Sequence, residues 1–188
     1  MISCIIDRNV IYKQKLHDKM TNVRKKSSNS QKSEPTPKKQ IKEKHVADFI
    51  KDKFQGEDIV FDKAINNGCS RRRPDIFIEK YTHSIIIEVD ENQHHDYTCE
   101  NKRMMELFQD LGSRPIVFIR FNPDEYINKN DESVKSCFKY HQTLGVPIVS
   151  DETLWNRRLD ALENIITFHI NNIPLKEVTI ETLFYNEF

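Results

Sequence analysis

The segment 84–90 restricts the fold of this chain more than any other segment. Its apolar residues are those of a buried β-strand, and it ends with two carboxylates, Glu88 and Asp90. Side chains alternate between the two faces of a strand, so Glu88 and Asp90 share one face while Ile85 and Ile87 share the other. Because unpaired charge is costly to bury, the two carboxylates should meet water, a cation or an arginine.

A third carboxylate, Asp75, stands at the start of the preceding apolar segment, residues 76–78. If the two segments pair antiparallel, Asp75 lies near Glu88 and Asp90. Three carboxylates at one edge of a sheet are suitable ligands for a hard divalent cation such as Mg²⁺. A histidine just beyond them can accept the proton of an attacking water. Acidic residues also end strands that bind no metal, so this pattern alone leaves both interpretations open.

Periodicity elsewhere predicts an α/β core in the order αβββαβ. In chain order, the predicted elements are helix 41–54, strands 59–61, 75–78 and 84–89, helix 96–112 and strand 116–121. The second helix makes a crossover connection, so the strands on either side of it should be parallel. Beyond the core we predict an amphipathic helix over residues 154–170 and a short strand over residues 178–180.

Composition and charge divide the chain into three parts. Residues 19–44 contain nine lysines and arginines and two glutamates, a net charge of +7, although the net charge of the whole chain is zero. Residues 24–40 contain no aliphatic or aromatic side chain, as is typical of a disordered linker. We therefore expect a basic, largely disordered arm (1–40), a core (41–126) and a C-terminal helix and tail that pack on the core (127–188). Such an arm follows the phosphates of a nucleic acid, serves as a localisation signal or is merely solvated.

The motifs of the core resemble those of the PD-(D/E)xK nuclease superfamily, and more narrowly its branch of Vsr mismatch-repair and EDxHD homing endonucleases. In chain order they are Asp75, Glu88-Val89-Asp90, Gln93-His94, Glu100-x-x-Arg103, Leu111-Gly112 and the strand 117–121. The core is also similar to uncharacterised nuclease-like proteins of large DNA viruses. Asp90 replaces the lysine of the usual triplet, a departure that favours the Vsr-like branch, in which a downstream histidine acts as the base.

This resemblance implies a restriction-endonuclease-like fold, in which helices flank a central mixed sheet, here with a C-terminal helical extension. It also implies a Mg²⁺- or Mn²⁺-dependent endonuclease that hydrolyses phosphodiester bonds in DNA. The implied metal ligands are Asp75, Glu88, Asp90 and the carbonyl of Val89. The base is His94 or its neighbour His95, since a histidine pKa near 6.5 suits that role. Glu43 on the first helix is a further catalytic candidate, or a solvated carboxylate that favours the helix start.

Two further groups of residues complete the expected site. The residues expected to orient the base or the metal-bound waters are His95, Asp96, Glu100, Arg103 and Arg120. The expected phosphate contacts are Arg71, Arg72 and Arg73 in the core and Lys25, Lys26, Lys38 and Lys39 in the arm. Arginine can bind a phosphate in a bidentate manner, but three adjacent arginines can also form a solvated loop, and Arg120 can form a structural ion pair.

The alternative to an enzyme is a catalytically inactive DNA-binding module of the same fold. An RNA-directed nuclease ranks lower, because no pair of aromatic residues indicates an RNA-recognition sheet. We expect an intracellular protein without a membrane partner, since the sequence shows neither a signal peptide nor a long apolar run. The basic arm is compatible with the nucleus or a viral replication site. A homodimer is one of the oligomeric states considered, and scattered cysteines predict reduced thiols.

Overall fold

The computed structural model of the chain describes residues 41–93 and 97–186. Several predictions lie outside the described residues: those for Lys25, Lys26, Lys38 and Lys39 in the basic arm, and those for His94, His95 and Asp96. The domain boundary at residue 40 likewise stays a prediction.

The described residues have an α/β architecture with three helices and nine strands. The elements are α1 (Ile41–Lys53), β1 (Asp58–Phe61), β2 (Ile76–Glu79), β3 (Ser84–Val89), a 3₁₀ turn (Glu91–Gln93), α2 (Tyr97–Asp110), β4 (Ile116–Phe121), β5 (Tyr126–Ile127), β6 (Ser133–Val134), β7 (Phe138–Tyr140), β8 (Pro147–Val149), α3 (Glu152–Asn171) and β9 (Val178–Leu183). Helix α2 is followed by Gly112, whose left-handed backbone (φ 77°) reverses the chain before β4. The two short hairpins, β5–β6 and β7–β8, were not predicted from the sequence.

A mixed sheet in the order β1-β2-β3-β4-β9 forms the centre of the fold. The first three strands are antiparallel and connected in sequence, so the predicted meander is confirmed. Strands β3 and β4 are parallel across the α2 connection, which confirms the predicted crossover. The C-terminal strand extends to Leu183 rather than ending at residue 180, and it pairs parallel with β4 as the fifth strand. The C-terminal segment is therefore part of the central sheet.

Helices cover both faces of the sheet, because successive buried isoleucines in β3 place apolar side chains on each face. One face packs against α1 and α3, and its buried residues include Val46, Ile50, Ile85, Ile87, Val117, Ile119, Leu159, Leu162 and Ile166. The other face packs against α2, and its buried residues are Phe77, Ile86, Leu107, Leu111, Ile116 and Phe118. Each such side chain contributes about 1.5–3 kcal/mol of apolar burial, so these layers dominate the stability of the fold. Of the helices in residues 41–93 and 97–186, none is long and apolar enough to cross a membrane.

Two buried cations fix the chain beyond β4. Lys42, which the sequence analysis counted with the basic segment, is only 5 % exposed, and its Nζ lies 2.7 Å from Asp124 Oδ1. Arg158 on α3 is 1 % exposed and donates to the carbonyls of Asn122 (2.9 Å), Asp124 (2.7 Å) and Lys135 (3.0 Å). Because these donors satisfy buried acceptors, the segment after β4 is held on the core.

Replacing Lys42 by alanine is expected to lower the free energy of unfolding by about 3–5 kcal/mol, because Asp124 would remain buried without its cation. The matched control is Lys44→Ala on the same helix. The pair between Lys44 and Asp48 is exposed, so the loss there should be about 0.5 kcal/mol or less. Urea denaturation of the two variants measures the difference, and equal losses would contradict the assignment of Lys42 to the core.

Candidate active site

The ends of β2 and β3 place two carboxylates side by side. Ile76 pairs with Ile87 in the antiparallel register, so Asp75, one residue before β2, reaches the level of Glu88. The side chain of Asp75 is fixed there because the backbone N–H of Val89 donates to its Oδ2 at 2.8 Å. Asp75 and Glu88 therefore lie next to each other at one edge of the sheet, as the sequence predicts.

These carboxylates line a cavity of about 490 Å³ between the sheet and α2. Its walls are formed by Arg72, Asp75, Glu88, Val89, Asp90, Cys99, Glu100, Lys102, Arg103, Met104, Phe118 and Arg120. Six of the predicted catalytic, metal-binding or orienting side chains are among them: Asp75, Glu88, Asp90, Glu100, Arg103 and Arg120. Lys102, whose exposed side chain lies one helical turn before Glu106, also lines the cavity and was not predicted from the sequence. The cavity thus combines a cluster of carboxylates with several cations.

Burial raises the pKa values of Asp75 and Glu88 and thereby disfavours the ionisation of both carboxylates. Burial is the largest cause of the raised pKa of Glu88, followed by the negative charge of Asp75, and Arg103 opposes both. The pKa of Asp75 is also raised by burial, while the hydrogen bond from Val89 and the charge of Arg103 act in the opposite direction. Two partly buried carboxylates that repel each other favour a shared proton or a bound cation.

Arg103 on α2 links this pair to the neighbouring loop. Its Nη2 lies 2.7 Å from Glu88 Oε1 and 2.7 Å from the carbonyl oxygen of Arg73. Arg103, predicted to orient the site, thus contacts Glu88 directly. Its guanidinium opposes the effect of burial and of the Asp75 charge, but it does not cancel them, so the pKa of Glu88 remains raised.

Asp90 lies in a second ion-pair network. Arg120 Nε donates to Asp90 Oδ2 at 2.6 Å, and the same oxygen accepts a hydrogen bond of 2.5 Å from the hydroxyl of Tyr185. Arg120 also pairs with Glu100 on α2. The sequence analysis left an ion pair as one interpretation of Arg120, and the structure shows that pair. Since both donors engage Oδ2, a metal ion at Asp90 would have to use Oδ1.

Glu43 approaches the site from the opposite side. This residue of α1 is half-buried, and its pKa is raised to about 7, first by burial and then by the charges of Asp75, Asp62 and Glu91, with Arg73 acting in the opposite direction. Glu43 is not among the residues that line the cavity. It nevertheless lies within electrostatic range of Asp75, which sequence periodicity could not establish.

The arginine loop before β2 is anchored to the end of α2. The carboxylate of Asp110 accepts hydrogen bonds from the backbone N–H of Cys69 (2.8 Å) and of Ser70 (3.2 Å). Added to Gly68, a Cβ would lie 2.6 Å from the Asp110 carboxylate, so this close approach needs glycine. The loop therefore carries its arginines at a fixed place.

The three arginines of this loop differ in their surroundings. Arg72 lines the cavity, and its Nε donates to Glu106 at 2.6 Å. Arg73 bonds to the backbone and the carboxylate of Asp62 at 2.8 Å and 2.9 Å, and both Arg73 and Arg71 are exposed. Of the three, Arg72 alone lines the cavity, and the phosphate contacts stay a prediction.

The segment that carries the base candidates begins at a firmly held residue. Gln93 is 7 % exposed, and its side-chain Nε2 donates to the carbonyl of Glu125 and to Asn186 Oδ1, both at 3.0 Å. Asn92 and Gln93 both have left-handed backbones, with φ of 57° and 60°. His94, the next residue, lies outside the described residues.

Asp75 and Glu88 are adjacent carboxylates whose negative charges are only partly neutralised. Their oxygen atoms are the kind of ligand that a hard divalent cation prefers. Within residues 41–93 and 97–186, no group of three or more histidine, cysteine, aspartate or glutamate side chains is arranged to hold a metal ion. Val89 lines the cavity, and a ligand role of its carbonyl stays a prediction.

In comparisons with known proteins, no family model and no curated protein matches this sequence.

The raised pKa of Glu88 predicts an unusual pH dependence of stability for the metal-free protein. A carboxylate with a raised folded-state pKa stabilises the fold at a pH below its ordinary pKa, and this contribution is lost as the pH rises through the raised value. The free energy of unfolding should therefore decrease from pH 5 to pH 9 in the presence of a chelator. We expect Glu88→Gln to flatten this decrease. Asp160→Asn, an exposed carboxylate on α3, is the matched control. Urea denaturation at several pH values would contradict the prediction if Glu88→Gln and wild type showed equal slopes.

Proposed function

We propose that this protein is a divalent-metal-dependent endonuclease of the PD-(D/E)xK superfamily that hydrolyses phosphodiester bonds in DNA. The observation that supports it most is the partly buried Asp75–Glu88 pair at the ends of two adjacent strands, beside a cavity. Carboxylates with strongly raised pKa values in a cleft cluster at functional sites. The proposal extends the α/β architecture to a restriction-endonuclease-like core.

The order of the elements supports this proposal. A helix precedes three antiparallel strands, and a crossover helix then leads to a parallel strand. Asp75 lies at the start of β2, and Glu88 lies in β3 one residue before its end. These are the positions that the resemblance assigns to the metal ligands. The motifs and the topology therefore agree on one site.

In this proposal Asp75, Glu88 and the Val89 carbonyl would hold Mg²⁺ or Mn²⁺. The bound metal would polarise the scissile phosphate and lower the pKa of a water molecule. Arg72, Lys102 and Arg103 border the same cavity and would attract the phosphates on either side of the scissile bond. Glu43 would add negative charge beside Asp75 and thereby favour the cation.

A second candidate function, a catalytically inactive DNA-binding module, is favoured by the two ion pairs of the site. Glu88 pairs with Arg103 and Asp90 pairs with Arg120, so much of the negative charge is already neutralised. Such pairing would weaken the attraction for a cation. The two candidates differ in whether the carboxylates are needed for a reaction.

Incubation with supercoiled plasmid in Mg²⁺, in Mn²⁺ and in chelator tests both candidates. We expect divalent-dependent cleavage by the wild type and a loss of about three orders of magnitude in Asp75→Asn and Glu88→Gln, because the metal would contribute several kcal/mol to catalysis. Asp48→Asn, on the exposed face of α1, is the control and should cleave like the wild type. DNA binding without cleavage under any metal condition would favour the inactive module, and cleavage that persists in both site variants would contradict the metal assignment.

A comparison of two alanine variants distinguishes the roles of the two adjacent histidines. His94→Ala should lower the cleavage rate by about two to four orders of magnitude, the usual contribution of a general base, while Mn²⁺ binding measured by calorimetry stays unchanged. His95→Ala should have a much smaller effect. If His95→Ala is the inactive variant, the two roles are exchanged. If both variants remain active, the base is not a histidine of this pair.

A further inference from the structure

The chain after β9 turns back across the end of the sheet in a fixed path. The backbone N–H of Asn122 donates to the carbonyl of Leu183 at 3.1 Å, and its buried side chain donates to the carbonyl of Phe184 at 2.7 Å. Phe184 itself has a left-handed backbone with φ of 64°, and its ring packs edge-on against Phe121. The two residues that follow, Tyr185 and Asn186, therefore leave this turn in a defined direction.

Tyr185 joins the ion-pair network of the proposed site. Its hydroxyl donates to Asp90 Oδ2 at 2.5 Å, and its ring lies 5.4 Å from the guanidinium carbon of Arg120. Arg120 donates to the same oxygen of Asp90 at 2.6 Å. One aromatic side chain thus restrains both partners of an ion pair, through a hydrogen bond to one and a cation–π contact with the other.

Asn186 makes a two-point contact with Gln93. Its Oδ1 accepts from Gln93 Nε2 at 3.0 Å, and its backbone N–H donates to Gln93 Oε1 at 2.9 Å. The same Oδ1 also accepts from the backbone N–H of Ile127 at 2.8 Å. Both side-chain contacts of Asn186 therefore use its oxygen as an acceptor.

The segment between Asp90 and Gln93 is also held from the opposite side. The backbone N–H of Asn92 donates to Asp124 Oδ2 at 3.1 Å. Asparagine tolerates a left-handed backbone, whereas at Gln93 this conformation costs about 1 kcal/mol or more, and the contacts of the Gln93 side chain offset that cost. Loss of one contact would let the segment relax.

We infer that Tyr185 and Asn186 are positioning residues, which hold Asp90 at the wall of the proposed site together with the turn that leads from Asp90 to Gln93. This inference rests on the proposed function. Neither residue is among those that line the cavity, so their effect reaches the reaction through Asp90 and Gln93. A displacement of about 1 Å at a catalytic group can cost about 100-fold in rate.

The acceptor role of Asn186 gives a pair of variants for the test. Asn186→Ala removes the acceptor, whereas Asn186→Asp keeps an oxygen for both donors. We expect Asn186→Ala to lower kcat for plasmid cleavage by about 10- to 100-fold with KM within about threefold of wild type, and Asn186→Asp to restore most of kcat. Tyr185→Phe keeps the ring and loses the hydroxyl, and a fall in kcat of about tenfold is expected. Asn171→Ala, at the exposed end of α3, is the control.

A measurement independent of cleavage is the exchange of the Gln93 side-chain amide protons with solvent, followed by NMR. Exchange should accelerate in Asn186→Ala and stay slow in Asn186→Asp and in the control. Equal loss of kcat in Asn186→Ala and Asn186→Asp would overturn the inference, as would unchanged kcat in Asn186→Ala. Slow Gln93 exchange in an inactive wild type would show that the proposed function fails while the contact itself is real, and the inferred role in catalysis would then be overturned with it.

Discussion

The antiparallel register of β2 and β3 brings Asp75 and Glu88 together at the edge of the sheet, and several neighbouring groups compensate the charges of these two carboxylates. Two carboxylates in such a place need compensation, because charge loses its hydration on burial. The hydrogen bond from Val89 supports Asp75, and Arg103 supports Glu88 while it also binds the backbone of the arginine loop. Arg103 thus ties α2 and the arginine loop to this pair of side chains, in addition to the apolar packing of α2 and the hydrogen bonds of Asp110.

Compensation is unequal along this edge of the sheet. Asp90 receives a guanidinium and a hydroxyl, Glu88 receives one guanidinium, and the charge-stabilising hydrogen bond at Asp75 comes from a backbone N–H. Neutralisation is therefore least complete at Asp75 and Glu88, and Glu43 on α1 lies within electrostatic range of Asp75. A cation would gain most between Asp75 and Glu88, and least at Asp90. Asp90 therefore has an organising role in addition to being a candidate metal ligand.

Local patterns in the sequence predicted the elements whose side chains repeat with a regular period. Alternation in β3 and the apolar stripe of α2 fall in this class, and pairing β3 with the segment before it was enough to place Asp75 near Glu88. Tyr185 and Asn186 belong to another class, since they reach Asp90 and Gln93 across more than 90 positions without any local pattern. The hairpins after β4 have strands of two or three residues, too short for a period to be recognised. Lys42 was grouped by its charge, although its burial depends on Asp124, 82 positions away.

Asp124 is buried and Asp75 is partly buried, and the charges of these two carboxylates are compensated to different extents. Asp124 has a lysine at 2.7 Å, the Ser136 hydroxyl at 3.0 Å and the backbone N–H of Asn92 at 3.1 Å, so its charge is matched by donors. Asp75 has another carboxylate as its neighbour, and burial raises its pKa. A chain that satisfies one buried aspartate so fully has the means to satisfy the other, for example with a second lysine. Asp75 instead lies beside a second carboxylate. Proteins keep such a local conflict at functional sites, where a bound ligand can resolve it. The incompletely neutralised pair of Asp75 and Glu88 is therefore the strongest physical reason to propose a cation at this edge of the sheet.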